Sequence, residues 1–319
     1  WVQSLEHHAQ GSTVRLQGDG SLHCRLVIDA SGARSRFLER APFRGRETLQ
    51  TTYGYMGRVK GHPFDPARMV LMDYRDDWMR GPELTPEVPS FLYAMPLPDG
   101  RFFAEETSVV AYHKIPDGVM KARLQARLDS LGVVYEEIEF VEKGAICMAS
   151  PLPRKGQRVV GYGSAANMIH PATAWQVGLA LTTAPALART LAGALSAPDA
   201  SPERAARLGW DVVWPLSRRL ACAFHTMGGS ILADTTMHLQ REFMDAFFTA
   251  AGDKWGPFAT WQLGPLQMPL ALSPIYKAAS SELRQFMMQA SRRYGGTMLR
   301  DWMTTLAESL GRPSAQPSG

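Results

Sequence analysis

The stretch QRVVGYGSAANMIHPATAWQVGLAL, residues 157–181, restricts the fold of this chain more than any other. A short β-branched strand runs into Gly161 and Gly163, passes through small residues to His170 and Pro171, and continues as an apolar run with helical spacing. Strand, small-residue turn and helix in that order make a unit of an α/β fold, because the linking side chains must stay small for the helix to lie back on the strand. A helix starting near Thr173 points backbone N–H groups and the positive end of its dipole at whatever precedes it, which suits a carbonyl or pyrophosphate of a bound cofactor. A tight connection needed only for packing would give the same letters, and a lone histidine beside a helix start is more often a satisfied polar residue than a catalyst.

A second signal of the same kind lies near the start. Thr13 to Leu16 alternates as a strand, Gly18-Asp19-Gly20 supplies a turn, and Leu22 to Ala30 reads as one mostly apolar strand ending in DASGARSR. Asp29 closes that strand, and Gly32 lets backbone approach a ligand closely. Taken together, the two stretches favour a cofactor-binding frame over coincidental packing. The chain has 319 residues, 45% hydrophobic and 20% charged, enough for one sizeable core or two adjoining ones. Lysine and arginine exceed aspartate and glutamate only by 34 to 30 and are spread along the chain, so no nucleic-acid partner is expected. Cys24, Cys147 and Cys222 are far apart and lack CxxC spacing, which argues against a disulfide framework and a metal site. The apolar run at 177–195 contains Pro185 and Arg189 and reads as a core helix instead of a membrane span. The chain opens on Trp1 without an initiator methionine and reads as a fragment or a processed form.

Along the whole chain the motifs carry a family resemblance. DASGARSR, FDPARMVLMDYRD (64–76), FLYAMP (91–96), FAEETS (103–108), RLQARLDSLG (123–132), PLPRKGQRVVGYGSAANMIHPAT (151–173), WPLSRR (214–219) and REFMDAFF (241–248) follow one another in the order and approximate spacing of plant and algal lycopene cyclases, which the chain resembles. The resemblance implies an α/β fold: an FAD/NAD(P)-binding, glutathione-reductase-like Rossmann frame with an antiparallel substrate sheet and a helical C-terminal region. Missing from the match is the N-terminal part with the strand, G-x-G-x-x-G turn and helix that hold the ADP portion of FAD. On this reading residues 1–40 and 151–200 are parts of the FAD-binding domain, 41–150 the substrate and catalytic sheet, 201–310 the helical region and 311–319 a disordered tail. The resemblance also implies reduced FAD as cofactor, NADPH as reductant, lycopene or a related carotenoid as substrate, and a plastid, peripheral-membrane location. Its cofactor-binding candidates are Asp29, Gly32, Gly161, Gly163, His170 and Pro171, and a chain without the ADP-binding part is expected to be inactive alone.

The implied reaction, a net non-redox closure of ψ end groups to β or ε rings, begins by protonating an unactivated alkene. That requires a carboxylic acid still protonated near pH 7, a shift of roughly three units, or about 4 kcal/mol in favour of the neutral form. Glu105 and Glu106 stand side by side after Phe102 and Phe103. Strand alternation puts Phe103, Glu105 and Thr107 on one side and Phe102, Ala104 and Glu106 on the other. The resemblance marks Glu105 as the acid; Glu106 is expected to raise its pKa as a like-charged neighbour, and Phe103 to stabilise a cation or merely to pack. Asp73 of the MDYRD motif is a third candidate, to position the acid strand or to accept the final proton.

Two positions depart from the family pattern: Ala104 stands where leucine is usual, and HPATAW replaces HPATGY or HPSTGY, with Ala174 for glycine and Trp175 for tyrosine. They leave open a diverged relative handling another carotenoid end group, as neoxanthin-forming or ketocarotenoid synthases do, a silent carotenoid- or flavin-binding protein, or a flavin monooxygenase. MDYRD and HPAT lie nearer the ε-type wording and PLPRKGQRVVGYG nearer the β-type, so the expectation leans to ε rings. Beyond residue 200, SPERAARLGWDVVWPLSRRLACAFHTMGG, TMHLQREFMDAFFTAAG and SSELRQFMMQASRRYGGTMLRDWMTTLAES are each expected to form an amphipathic helix. Phe247, Phe248, Trp255, Phe258, Trp261 and Leu263 are expected to cap the core, seal a substrate tunnel or dip into a lipid surface.

Overall fold

The turn at Gly18-Asp19-Gly20 forms because Gly18 and Asp19 take φ of +86° and +64°, which lets Leu16 N–H donate to Gly20 O at 2.8 Å. It joins β2 (Gly11–Leu16) to β3 (Ser21–Cys24), and with β1 (Val2–His8) they make a three-stranded antiparallel sheet. The computed structural model describes residues 1–81, 84 and 88–310; the tail expected over 311–319 lies outside the described residues. The single strand expected over Leu22–Ala30 is two. After β3 the chain changes sheets, and β4 (Val27–Asp29) runs parallel to a later strand. The change falls at Arg25, whose guanidinium leaves the ladder to donate to Leu195 O at 2.6 Å.

Five strands form the large antiparallel sheet: β5 (Thr48–Val59), β6 (Val70–Asp73), β7 (Ser90–Pro96), β8 (Phe102–Ser108) and, beyond the helix α1 (Asp117–Ser130), β9 (Tyr135–Ala149). Their order is β6-β7-β8-β5-β9. Side chains alternate between its faces. One face places Tyr53, Tyr55, Leu92, Ala94, Phe102 and Ala104 against Met120, Leu124 and Leu128 of α1. The other carries Phe91 and Tyr93 toward the C-terminal helices, where Leu232 and Met244 meet them.

The parallel partner of β4 is β10 (Val159–Gly161), and α2 (Val177–Ser196) and α3 (Pro202–Val213) cover this pair through Leu187, Leu191, Trp210 and Val213. A Cβ on Gly161 would lie 2.7 Å from Leu38 Cδ1 and 3.1 Å from the Trp210 ring, so this glycine serves close packing. The helix expected from Thr173 starts at Val177: the amides of Thr173 and Ala174 first turn back onto His170 O, and Ala174 takes φ +59°. α2 buries one stripe, Leu179, Thr183, Leu187, Leu191 and Ala194, and leaves Val177 and Leu181 exposed.

The first C-terminal helix expected from spacing is broken by Pro215, which cannot continue α3 and sits at the N-cap of α4 (Leu216–Ala233). α5 (Met237–Ala250), α6 (Trp255–Ala259), α7 (Met268–Ala278) and α8 (Ser281–Ser309) follow. Thr236 and Ser280 cap α5 and α8 by accepting from the amides of Leu239 and Leu283. Among the described residues no helix is long and apolar enough to cross a membrane.

Candidate active site

Glu105 projects from the middle of β8 on the side of the sheet that faces the C-terminal helices. Its row across the sheet is Tyr93 on β7, Gly54 on β5 and Glu142 on β9. The carboxyl is 7% exposed and its Oε1 accepts a 2.5 Å hydrogen bond from Thr107 Oγ1. Burial pushes its pKa up, the Thr107 donation opposes that, and the Glu142 carboxyl across the sheet adds to it, leaving the value at about 7 against an ordinary 4.5. Glu105 therefore holds its proton at a pH where an exposed glutamate has lost it. Gly54 makes the contact between the two carboxyls geometrically open: a Cβ there would lie 3.2 Å from Glu105 Cβ and 3.2 Å from Ala104 O.

Glu106, one residue on, meets the opposite environment. It is fully buried on the α1 side and forms a two-pronged pair with Arg127, Nε to Oε2 at 2.8 Å and Nη2 to Oε1 at 3.1 Å, while Ser90 Oγ donates to Oε1 at 2.6 Å. The expected support of Glu105 by Glu106 is thus corrected: the sheet separates them, and the like-charged neighbour is Glu142. Asp73 pairs with Leu92 in the β6–β7 ladder and so shares the Glu106 side. Its carboxylate accepts from the Arg75 backbone and guanidinium, which together with Arg127 hold its pKa below the usual range despite the opposing effect of burial. Arg127 also donates to Arg75 O at 2.8 Å, so Asp73 belongs to a lattice behind the acid strand, on the side of the sheet away from Glu105. Phe103 shares the acid's side of the strand, but the aromatic ring opposite Glu105 in the ladder is Tyr93.

Tyr93 joins the acid to an apolar cavity of about 270 Å³ walled by Phe91, Trp175, Phe247 and Phe258 among others. The residues expected to cap the core or seal a tunnel divide: Phe247, Phe248, Trp255 and Phe258 line this cavity, Leu263 packs against the core cluster that holds Phe247, Phe258 and Met268, and Trp261 lines a second cavity. His225 on α4 also lines the first cavity. It is buried, and among the described residues neither ring nitrogen has a hydrogen-bond partner. Its charged form is disfavoured by burial and by the His170 ring 4.0 Å away. Only a strand-to-cavity view exposes Glu142 and His225; their one-letter surroundings are an edge strand and an ordinary helix.

The second cavity, about 640 Å³, lies at the start of α2 and is lined by Ser164, Ala174, Gln176, Val177 and Gly178. Trp175 borders both cavities. Gln176 caps α2 without a side-chain hydrogen bond, so the uncapped first turn of the helix, Val177 to Leu179, borders this space. Gly163 turns the chain here with φ +62°, and Ser164 Oγ donates to Gln176 Oε1 at 2.8 Å. A Cβ on Gly32, at φ +108°, would meet nothing within 4 Å, so its surface is open to a ligand. These features fit the ring and chain of a flavin. The other cofactor candidates are engaged in the protein: Asp29 accepts from Ser31 N and Ser35 Oγ and shapes its own turn. His170 is fully buried, accepts from Ala172 N–H, contacts Phe258 O and is pushed by burial to a pKa of about 3. Pro171 is clamped beneath α4, where a Cβ on Gly229 would come 2.5 Å from its carbonyl.

A geranylgeranyl bacteriochlorophyll reductase-like protein of Thermoplasma acidophilum is 14% identical, with a TM-score of 0.57 over 91% of this chain and 68% of that one. The Diels-Alderase PyrE3 of pyrroindomycin biosynthesis gives a TM-score of 0.50 at 13% identity, covering 88% of this chain and 55% of that one. The fold is that of this group of enzymes, a Rossmann-type α/β frame carrying an antiparallel sheet. In sequence, the chain is 36% identical to the chloroplastic lycopene beta cyclase of Arabidopsis thaliana, over 82% of this chain and 54% of that protein. It is 32% identical to the lycopene beta cyclase of Synechococcus elongatus, over 91% and 70%. It is also 32% identical to the capsanthin/capsorubin synthase of Citrus sinensis, over 88% and 57%. The chain spans about half the length of the plant relatives it matches. The profile described as Lycopene cyclase protein covers residues 1–267, and the chain belongs to the lycopene cyclase family.

Proposed function

We propose that the protein to which this chain belongs closes the ψ end groups of lycopene into rings by acid-initiated cyclisation. The observation that carries the reading is Glu105, a buried carboxyl still protonated near neutrality and one ladder position from a wall of an apolar cavity. Glu105 gives its proton to the terminal alkene, the π electrons of the neighbouring double bond close the ring, and loss of a ring proton from the resulting cation restores neutrality. Tyr93, Trp175 and Phe258 give that cation aromatic faces and exclude water from it. Ser164, Gly163, Gln176 and the first turn of α2, with Gly32, would hold FAD, with NADPH as its reductant; reduced FAD when bound supplies an electron-rich ring that favours a cation without net electron transfer. Two of the three named sequence relatives are beta cyclases, which weighs the ring position toward β and against the ε expectation drawn from two short motifs. A bias of tenfold needs only about 1.4 kcal/mol between two deprotonation barriers, below what such motifs resolve. The chloroplastic naming of the plant relatives supports a plastid site, and a C40 hydrocarbon substrate supports contact with a membrane surface.

The test is expression of the full-length gene in lycopene-accumulating bacteria, with chromatography of the pigments. Cyclic carotenes, mainly β-carotene, are expected. Unchanged lycopene would indicate a binding relative, and oxygenated products a monooxygenase on the same frame.

A further inference from the structure

Every turnover leaves Glu105 as a carboxylate, and a buried acid has to be recharged before it can act again. The ladder shows where that proton comes from. β9 is an edge strand, and Glu142 on it is partly exposed, whereas Glu105 one strand inward is buried. Between them the chain has Gly54, which pairs with Glu105 on one side and Glu142 on the other and interposes no side chain. The neighbouring positions on the same side, Thr52 and Gly144, are likewise paired, and the buried Thr52 hydroxyl faces the Glu105 carboxyl and, like Thr107, works against the rise in its pKa. Among the described residues, the ionisable groups in the Glu105 row or lining the first cavity are Tyr93, Glu142 and, on α4, His225.

We propose that Glu142 is a positioning residue that shares a proton with Glu105 and returns one to it from solvent after each cyclisation. The inference rests on the cyclase reading of Glu105. After transfer to the alkene both carboxyls are charged; Glu142 first takes a proton from water at the sheet edge, and that new O–H bond then breaks as one forms on Glu105. The ring cation releases one proton to solvent, so the cycle balances. Before transfer, the second carboxyl also keeps Glu105 neutral, since two adjoining carboxyls do not readily ionise together.

The experiment uses the full-length, FAD-loaded enzyme in its reduced form with lycopene, comparing wild type, Glu142→Gln, Glu142→Asp and Gly54→Ala. Glu142→Gln should lower turnover about tenfold with KM unchanged and move the alkaline limb of the pH profile down by about one unit. Glu142→Asp should recover part of both. Gly54→Ala, which wedges a methyl between carboxyls that are both still present, should behave like Glu142→Gln. A fall in activity with the pH limb unmoved would overturn the proposal, as would wild-type turnover in Glu142→Gln. If wild-type enzyme makes no cyclic product, the cyclase reading fails separately. The pH midpoint of the Glu105 carboxyl band in infrared difference spectra, wild type against Glu142→Gln, then decides the pairing: a downward shift supports it and no shift overturns it.

Discussion

Glu105 and Glu106 are the same residue type, adjacent in one strand and both buried, and the sheet gives them opposite chemistry. On the α1 side Glu106 meets Arg127 in two-pronged geometry and gains Ser90 as a third donor, so its charge is fully matched. On the cavity side Glu105 meets one hydroxyl and another carboxyl, and burial favours the neutral form. The difference teaches that a carboxyl's role is fixed less by its neighbours in sequence than by the strands its sheet places opposite it. One face holds the scaffold by charge; the other keeps a proton in reserve.

The two faces can be set against each other by the same substitution. Glu105→Gln in the full-length enzyme should lower cyclisation by about 10³-fold, within the range attributed to a positioned general acid, while changing stability by less than about 1 kcal/mol at about pH 4, where the amide replaces a carboxyl that is neutral in both the folded and the unfolded chain. Product chromatography and denaturant unfolding check the two halves. Glu106→Gln should do the reverse. It leaves the Arg127 guanidinium, 1% exposed, without its counter-charge and should cost about 3–5 kcal/mol of stability, seen as a lower midpoint in urea. Equal losses of activity from both substitutions with no difference in stability would erase the distinction between the faces.

The next effect is the pH dependence of stability. Glu105 has a folded pKa of about 7, above its ordinary 4.5. The folded state therefore binds one more proton than the unfolded state between those values, and the contribution is complete below the unfolded pKa and is lost as pH rises through about 7. Integrated over that window it amounts to about 3 kcal/mol. Unfolding free energies measured from pH 4.5 to 8 should show this decline in wild type and lose it in Glu105→Gln. Cyclisation rate should fall over the same upper limb. The smallest effect concerns Ala174, held at φ +59° where the family pattern has glycine. Ala174→Gly should relieve a left-handed backbone conformation and raise stability by about 0.5–1 kcal/mol, read as a small rise in Tm.

Much of the frame was legible because it depends on local rules. Period-two alternation alone put Glu105 and Glu106 on opposite faces, and small residues after Val159–Gly161 announced a strand turning into a helix. What escaped depends on partners far along the chain. Glu142 becomes significant only through the β5–β9 register, and Arg127 only when α1 lays its Arg127 side on the sheet. Leu22–Ala30 looked like one strand because hydrophobicity does not say that residues 22–24 and 27–29 belong to different sheets. His170 and Asp29 stand in the motifs that carried the family resemblance, yet their polar atoms are spent on nearby backbone and a serine.

The most direct test is infrared spectroscopy of the carboxyl region on wild type, Glu105→Gln and Glu106→Gln as pH is raised from 5 to 9. A protonated carboxyl band should be present in wild type and Glu106→Gln, fade with a midpoint near 7, and be missing from Glu105→Gln. A wild-type spectrum without that band at pH 6, or a band that survives in Glu105→Gln and disappears in Glu106→Gln, would contradict the assignment of the stored proton to Glu105.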